Sequence, residues 1–289
     1  MIPSKDIASI LENYLTKHIA ELPFRPKLIT FLLGSSPEQL SFVGIKKRLA
    51  ERIGASFELR HYPEDPPYLA FRNKISDTAN LPDTTGIIIQ HPLPEHFDAS
   101  KLYEVIPEEK EIEGHKPGSA FHFPLSLAVL AGLKYIILKE MNQNYVPDED
   151  SILNFHEDRD ALASYSSHKN IVIVGRGITG GKPIAQALQD IGITYTQIHS
   201  QTPDSKNYYK NADIIITATG KKILTPDMVK KNVILLNVGL RKENEKLRGD
   251  YDEEEMKNVA SYYTETPGGL GPLDVLYLYK NLYDAALIQ

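Results

Sequence analysis

A glycine-rich segment, Gly175-Arg-Gly-Ile-Thr-Gly180, has the spacing G-x-G-x-x-G. It follows an apolar run and precedes a helical pattern from about Lys182 to Ile191, which is the context this motif needs to bind a dinucleotide. Glycines let the backbone approach a pyrophosphate, and the following helix N-terminus supplies N–H groups and the positive end of a dipole. The alternative is a plain tight turn, and the context favours the dinucleotide site.

The residues beside this loop favour NADP over NAD. An NAD site usually has Asp or Glu at the end of the next strand, about 20 residues on. Here that strand ends in His199-Ser-Gln-Thr202, which contains no acid. The guanidinium of Arg176 can bind the extra phosphate of NADP with two hydrogen bonds, and Ser200 offers a hydroxyl to the same group. Taken alone, Arg176 is better interpreted as a solvated loop residue; the missing acid and the present cation together favour NADP.

Lys46 is the candidate for acid–base chemistry in the first half of the chain. It lies on a helix predicted over residues 38–53, beside an apolar stripe of Phe42, Ile45, Leu49 and Ile53. A lysine that borders a buried face can act on a substrate or bond to it. The alternative is that its stem packs while its ammonium reaches water.

Two further segments have the composition of ligand contacts. Gln90 ends an apolar strand, and ligands of parallel sheets lie beyond the carboxyl ends of strands. Its alternative role is to cap a loop. The turn 267–272, Pro-Gly-Gly-Leu-Gly-Pro, suits close approach of the backbone to a ligand, or is a linker.

The remaining candidates for metal or nucleophile chemistry are weak. The histidines at positions 91, 96, 115, 122 and 199 share no metal-type spacing, so we predict no metal site. The chain has no cysteine, which excludes disulfides, thiolate zinc sites and cysteine nucleophiles.

The elements that must position these residues form an α/β pattern. Predicted strands cover residues 27–33, 56–61, 86–90, 170–174, 194–199, 213–217 and 233–237, with helices between them and a last helix over 272–287. This alternation predicts mostly parallel sheets covered on both faces, in two domains that meet somewhere between Asn142 and Lys169.

Composition limits the partners. The net charge of −6 predicts no general attraction to nucleic acids or acidic membranes. The longest apolar stretch, Leu125 to Leu138, is too short to span a bilayer, and the N-terminal residues fit neither a signal nor a transit peptide. We therefore predict a cytoplasmic protein with no nucleic-acid or membrane partner.

The motifs, in this order, resemble the methylenetetrahydrofolate dehydrogenase/methenyltetrahydrofolate cyclohydrolase family over nearly the whole chain. The matching stretches are 41–46, 86–94, 110–114, 175–183, 199–202, 212–220 and 267–272. The resemblance implies an enzyme that uses NADP to oxidise methylenetetrahydrofolate, hydrolyses the methenyl product to formyltetrahydrofolate, and forms a homodimer. It implies a catalytic domain over residues 1–147, completed by 268–289, and a Rossmann-like NADP-binding domain over 148–267. The last helix is expected to pack back on the first domain.

The resemblance also implies roles for individual residues. Lys46, its supporting Gln90 and the ring of Phe42 are the implied catalytic residues. The implied substrate contacts are Phe42, Glu113, Pro92, Leu93, Pro94, Gly268, Gly269 and Pro272. The implied cofactor contacts are Gly175, Arg176, Gly177, Ile178, Gly180, Pro183, His199, Ser200, Thr219 and Gly220.

The chain departs from the family pattern at several positions. Phe42 stands for a tyrosine, Glu113 for an aspartate, Gly177 for a serine and Asp274 for a threonine. A Pro-Cys-Thr-Pro element is absent, and residues 115–147 form a longer segment than usual. Loss of the tyrosine hydroxyl is expected to impair hydrolysis more than hydride transfer, because hydride transfer mainly needs the two rings to be positioned correctly. One alternative is therefore a dehydrogenase-only or catalytically impaired family member, and another is a different two-domain Rossmann oxidoreductase acting on a small hydroxy or amino acid.

Overall fold

The computed structural model describes residues 1–289 and contains ten α-helices and ten β-strands. In chain order they are α1 (Ser4–Ala20), β1 (Lys27–Leu33), α2 (Pro37–Ile53), β2 (Ser56–Tyr62), α3 (Tyr68–Ala79), β3 (Gly86–Ile89), α4 (Ala99–Tyr103), α5 (Pro124–Met141), α6 (Arg159–Ser166), β4 (Ile171–Val174), α7 (Gly181–Asp190), β5 (Thr196–Ile198), α8 (Ser205–Asn211), β6 (Ile214–Thr217), β7 (Val233–Asn237), β8 (Arg241–Glu243), β9 (Lys246–Arg248), α9 (Glu253–Met256), β10 (Ala260–Tyr263) and α10 (Gly271–Ile288).

The chain divides into two compact units, each with its own sheet. The three-stranded unit comprises Glu12–Pro124 and Val275–Gln289, and the five-stranded unit comprises Met1–Leu11 and Leu125–Asp274. The predicted functional boundary between residues 147 and 148 stays a prediction. Residues 125–141 of α5 belong to the five-stranded unit because the helix packs closely against it. A Cβ added to Gly132 would lie 3.4 Å from the Leu236 side chain of β7.

The three-stranded unit is built on a parallel sheet in the order β2-β1-β3. The central strand β1 is apolar and buried over nearly its whole length, as expected where helices cover both faces of a sheet. On one face, alternate β1 residues such as Phe31 pack against α3, whose Phe71, Ile75 and Ala79 recur at four-residue intervals.

Helix α2 has well-defined ends. The Ser36 hydroxyl accepts a hydrogen bond from the Gln39 amide, Pro37 occupies the first turn, and Gly54 ends the helix at a left-handed φ of 81°. The predicted apolar stripe was only partly right. Leu49 and Ile53 are buried, but Phe42 and Ile45 are 48% and 40% exposed.

Helix α10 packs in the three-stranded unit, which confirms the predicted position of the last helix. The Tyr279 hydroxyl donates to the Lys46 carbonyl at 2.7 Å, and the Asn281 amide donates to the carbonyls of Ile112 and His122. Both side chains are buried.

The five-stranded unit contains a parallel sheet in the order β10-β7-β6-β4-β5. The chain moves from β4 outward to β5 and then returns to β6 on the other side, so the strand order reverses at β4. The carboxyl ends of these strands, at Val174, Ile198 and Thr217, share one edge of the sheet. The sequence analysis missed β10 and the antiparallel β8–β9 hairpin.

The predicted fold class, two α/β domains with parallel sheets, is therefore confirmed. None of the helices combines the length and the apolar character needed to cross a membrane.

Candidate active site

The structure brings Lys46 and Gln90 together at the carboxyl edge of the three-stranded sheet. Gln90 directly follows β3, and its backbone N–H bonds to the Phe31 carbonyl of β1. Its side-chain amide donates to the His91 carbonyl at 3.0 Å, which directs its oxygen toward Lys46. The Lys46 ammonium donates to that oxygen at 3.0 Å. The supporting contact implied for this pair is present.

Glu113 reaches the same edge because its segment follows β3. Glu111 pairs with Ile87 of β3 in parallel, so the chain carries Glu113 toward the position of Gln90. The Lys46 nitrogen lies 3.8 Å from one Glu113 oxygen, and the two side chains are only 12% and 13% exposed. Lys46 therefore contacts both an amide oxygen and a carboxylate in a poorly hydrated position.

The buried carboxylate of Glu111 fixes the loop that carries Glu113. It accepts backbone N–H bonds from Glu113, His115 and Lys116 at 3.0, 2.9 and 3.3 Å. Gly114 turns the loop at a φ of +75°, where a Cβ would lie 2.6 Å from the Phe121 carbonyl oxygen. A side chain is excluded there by both conformation and space.

Charges and burial act together on the acids of this site. Burial works to raise the pKa of Glu113, but the charges of Lys46 and of His115 outweigh it and lower that pKa overall. Burial is the main cause that raises the pKa of Glu111; the charge of His115 acts in the opposite direction, and the charge of Glu113 adds to the effect of burial. Glu113 is therefore the carboxylate that stays ionised over the wider pH range.

The neighbouring predicted contacts lie at the same sheet edge. Phe42 is one helical turn before Lys46, and its exposed ring is free to stack on a flat ligand. The His91–Pro92 peptide bond is cis, and the Pro92 carbonyl accepts a hydrogen bond from the Gln39 side chain. Leu93 packs on the core beneath, and the Pro94 carbonyl accepts from the Phe97 amide.

The glycine loop of the five-stranded unit has the shape of a dinucleotide cradle. Gly175 has a φ of +119°, and a Cβ there would lie 2.5 Å from the Ala218 carbonyl oxygen. A Cβ on Gly181 would lie 2.1 Å from the Gly175 carbonyl oxygen. Helix α7 begins after Gly180 without a side-chain cap. The Lys182 N–H bonds to the Gly177 carbonyl at 3.1 Å and Pro183 has no N–H, which leaves the Gly181 N–H at the helix start for a phosphate.

The candidate specificity residues surround this loop. Arg176, Gly177 and Ile178 are exposed in it, Pro183 lies in the first turn of α7, and the Gln197 amide donates to the carbonyls of Gly175 and Gly181. His199 and the exposed Ser200 follow β5 at the carboxyl edge of the sheet. No acid occupies the end of β5, in agreement with the expectation for NADP.

The loop that follows β6 is held by a buried aspartate. Asp250 accepts the backbone N–H groups of Thr219 and Lys221 at 2.8 and 3.1 Å. Gly220, between them, has a φ of +67°. Thr219 and Gly220 therefore lie at the same sheet edge as Gly175 and His199.

The glycine-rich turn at residues 267–272, which was predicted to contact the substrate, belongs to the five-stranded unit. Gly268 follows a cis Thr266–Pro267 bond with a φ of +98°, and a Cβ on Gly269 would lie 2.4 Å from the Glu265 carbonyl oxygen. Pro272 is in the first turn of α10, as predicted. The substrate role of these three residues stays a prediction.

Sequence reasoning missed several residues that shape these sites. Glu111, Gln197 and Asp250 hold loops through backbone bonds, and His115 contacts Glu113. The acids were visible as charges in otherwise apolar or glycine-containing segments, but nothing in the sequence identified the N–H groups that they bind.

Comparisons with known proteins agree with this geometry. The family model for the tetrahydrofolate dehydrogenase/cyclohydrolase catalytic domain matches residues 2–113, and the model for the NAD(P)-binding domain of the same family matches residues 160–289. The chain is 32% identical to the bifunctional protein FolD of Lactobacillus acidophilus, over 97% of this chain and 94% of the relative. It is 34% identical to the protein of that name from Staphylococcus aureus strain JH9, over 96% and 92%.

Solved structures give the same result. The bifunctional enzyme FolD from Campylobacter jejuni superposes with a TM-score of 0.85 at 26% identity, covering 99% of this chain and 98% of that one. A Trypanosoma brucei enzyme, crystallised with NADP cofactor and an inhibitor, has a TM-score of 0.74 at 24% identity, covering 98% and 95%. At that identity the second match shows the fold alone.

Proposed function

Because the chain belongs to the tetrahydrofolate dehydrogenase/cyclohydrolase family, we propose that it catalyses both reactions of that name. In the first, methylenetetrahydrofolate is oxidised to the methenyl cation. In the second, water adds to that cation and a proton is released, which gives formyltetrahydrofolate. Both reactions belong to one-carbon metabolism. Family membership also rules out the alternative of an oxidoreductase of another Rossmann family.

The observation that carries this proposal is the Lys46 site. The ammonium group lies 3.0 Å from the Gln90 amide oxygen and 3.8 Å from Glu113, and it is only 12% exposed. A lysine nitrogen held in this way can accept a proton from water that attacks a cation, once it has lost its own proton. Glu113 supplies an acceptor for the N–H groups of a pterin ring, and Phe42 supplies a stacking surface.

NADP fits the glycine loop, and when bound it accepts the hydride of the first reaction. Gly175, Gly180 and Gly181 let the backbone of the turn pack closely on Ala218 and on itself beside the uncapped start of α7, where a pyrophosphate would bind. Arg176 and Ser200 are exposed and able to bind the extra phosphate, while the end of β5 has no acid to bind the ribose of NAD.

Phe42 favours a second candidate, a dehydrogenase without hydrolysis. Its ring keeps the stacking surface needed to bind the substrate, but it has no hydroxyl beside Lys46. This candidate predicts the first reaction alone.

A coupled assay tests both candidates. Purified protein would be given methylenetetrahydrofolate with NADP or NAD, and NADPH formation would be followed together with the absorbance of the methenyl product. We expect NADPH to form faster than NADH, and the methenyl absorbance to decay. Stable methenyl absorbance would select the dehydrogenase-only function, and no reduction of either cofactor would refute the proposal.

We also propose that the protein acts in the cytoplasm as a homodimer, with tetrahydrofolate derivatives as its partners. The absence of cysteine suits a reducing compartment. The catalytic function is assigned to residues 1–147 with 268–289, and the binding of NADP to residues 148–267.

A further inference from the structure

His115 lies beside the proposed active site, and the reactions proposed above give it no role. Its Nε2 atom is 3.7 Å from a Glu113 oxygen, and that oxygen is not the one that faces Lys46. The two contacts therefore hold the carboxylate from both of its oxygens. The His115 side chain is 16% exposed, so little water competes for this contact.

The orientation of the His115 ring is fixed by its surroundings. It stacks on Tyr103 of α4, with the ring centroids 4.3 Å apart and the planes at 20°, and the edge of Phe123 packs against it at 5.2 Å. Its backbone N–H bonds to Glu111 at 2.9 Å. The imidazole therefore points to Glu113 before any substrate binds.

The ionisable groups around His115 come from four segments. Glu111 and Glu113 lie on its own loop, Tyr103 on α4, His91 after β3, and Lys46 on α2. The His91 Nε2 atom bonds to the Tyr103 hydroxyl at 2.9 Å, and burial, with the charge of His115, lowers the pKa of His91. Glu113 therefore has Lys46 against one carboxylate oxygen and His115 against the other.

We propose that His115 is a positioning residue that holds the Glu113 carboxylate, so that it keeps one orientation and its negative charge when it binds the folate. This role rests on the proposed function and extends it to a residue outside the matched motifs. Without the contact to His115, the carboxylate would be free to turn toward Lys46, which would remove an acceptor from the substrate.

The test compares His115→Phe and His115→Gln with the wild type. Phenylalanine keeps the ring stack but removes the contact with Glu113, whose pKa should then rise. We expect the acid limb of kcat/KM for hydrolysis, where protonation of Glu113 weakens substrate binding, to move to higher pH, and the KM for the folate to increase. Glutamine restores a neutral donor, so it should recover the KM without returning the acid limb to its original position.

A matched control is available in the same unit. His96 faces Asp65 at 3.7 Å on the surface, and His96→Phe should change neither the profile nor the KM. An unchanged profile in His115→Phe, or an equal loss of rate at every pH, would overturn the role of His115. If the wild type itself turned over neither substrate, the proposed function would fail, and this role would fail with it.

Discussion

At the scale of single residues, the proposed chemistry depends on how few groups contact Lys46. The Gln90 side chain donates its N–H to the His91 carbonyl, and its amide oxygen accepts a hydrogen bond from the Lys46 ammonium. Glu113 faces the ammonium through one carboxylate oxygen. Low exposure strengthens these interactions because water screens them poorly. A lysine on the open surface of α2, such as Lys47, has no comparable surroundings.

Cofactor choice is also decided by single residues, and Arg176→Gln tests it. We expect the affinity for NADP to fall roughly ten- to a hundredfold, since a charge-assisted hydrogen bond contributes about 1.5–3 kcal/mol. The affinity for NAD should hardly change, because NAD lacks the phosphate. Titration of both cofactors by intrinsic fluorescence or calorimetry measures this.

Lys231→Gln is the control for that experiment. Lys231 is exposed at the amino end of β7, away from the sheet edge that carries the glycine loop. The account of cofactor choice would be wrong if Arg176→Gln weakened NAD and NADP equally, or weakened neither.

At the scale of elements, the turn between β4 and α7 requires glycine at some positions and tolerates side chains at others. A Cβ on Gly181 would meet the Gly175 carbonyl at 2.1 Å, whereas a Cβ on Gly177 would meet nothing within 4 Å. We predict that Gly181→Ala lowers the free energy of unfolding by roughly 1–3 kcal/mol and abolishes cofactor binding. Thermal unfolding with and without NADP measures both effects.

Gly177→Ala is the matched change in the same turn. It should alter the free energy of unfolding by less than about 0.5 kcal/mol. Because Gly177 stands for a serine of the family pattern, a side chain at this position should also leave the implied backbone contact, and NADP binding, near that of the wild type. Equal effects of the two substitutions would contradict the close approach of the backbone that defines this turn.

The elements show what sequence patterns can predict. The strand Lys27–Leu33 and the turn at Gly175 follow from local apolar runs and glycine spacing, and both are confirmed. The apolar stripe through Phe42 and Ile45 was wrong because periodicity identifies an apolar face and not the element that covers it. The strand β10 was missed because its four residues, Ala260 to Tyr263, form neither a continuous aliphatic run nor a regular alternation.

Long-range contacts limit how much of the site can be predicted from the sequence. The resemblance placed Lys46, Gln90 and Glu113 in one site, and the structure brings these three together. The resemblance could not predict the hydrogen bond from the Tyr279 hydroxyl to the Lys46 carbonyl, which joins residues 233 positions apart. Nor could it predict the hydrogen bond that Asp250 accepts from the Thr219 backbone N–H. Such partners depend on the folded chain, since each residue has an ordinary type in its own segment.

At the scale of the whole molecule, hydrolysis and cofactor binding depend on residues of different units. The hydrolysis residues Lys46, Gln90 and Glu113 lie in the three-stranded unit, and the glycine loop lies in the five-stranded unit. Removing a hydrolysis residue should therefore leave the cofactor site as it was. Thermal stabilisation by NADP reports on that site independently of turnover.

The most direct test of this account is the hydrolysis rate of methenyltetrahydrofolate in Lys46→Met, measured beside the Tm increase that NADP produces in the same variant. Lys47→Met is the control on the exposed face of α2. We predict that Lys46→Met loses roughly a hundred- to ten-thousandfold in hydrolysis and keeps the NADP-dependent increase in Tm, while Lys47→Met keeps both. Undiminished hydrolysis in Lys46→Met would contradict the central role of this lysine.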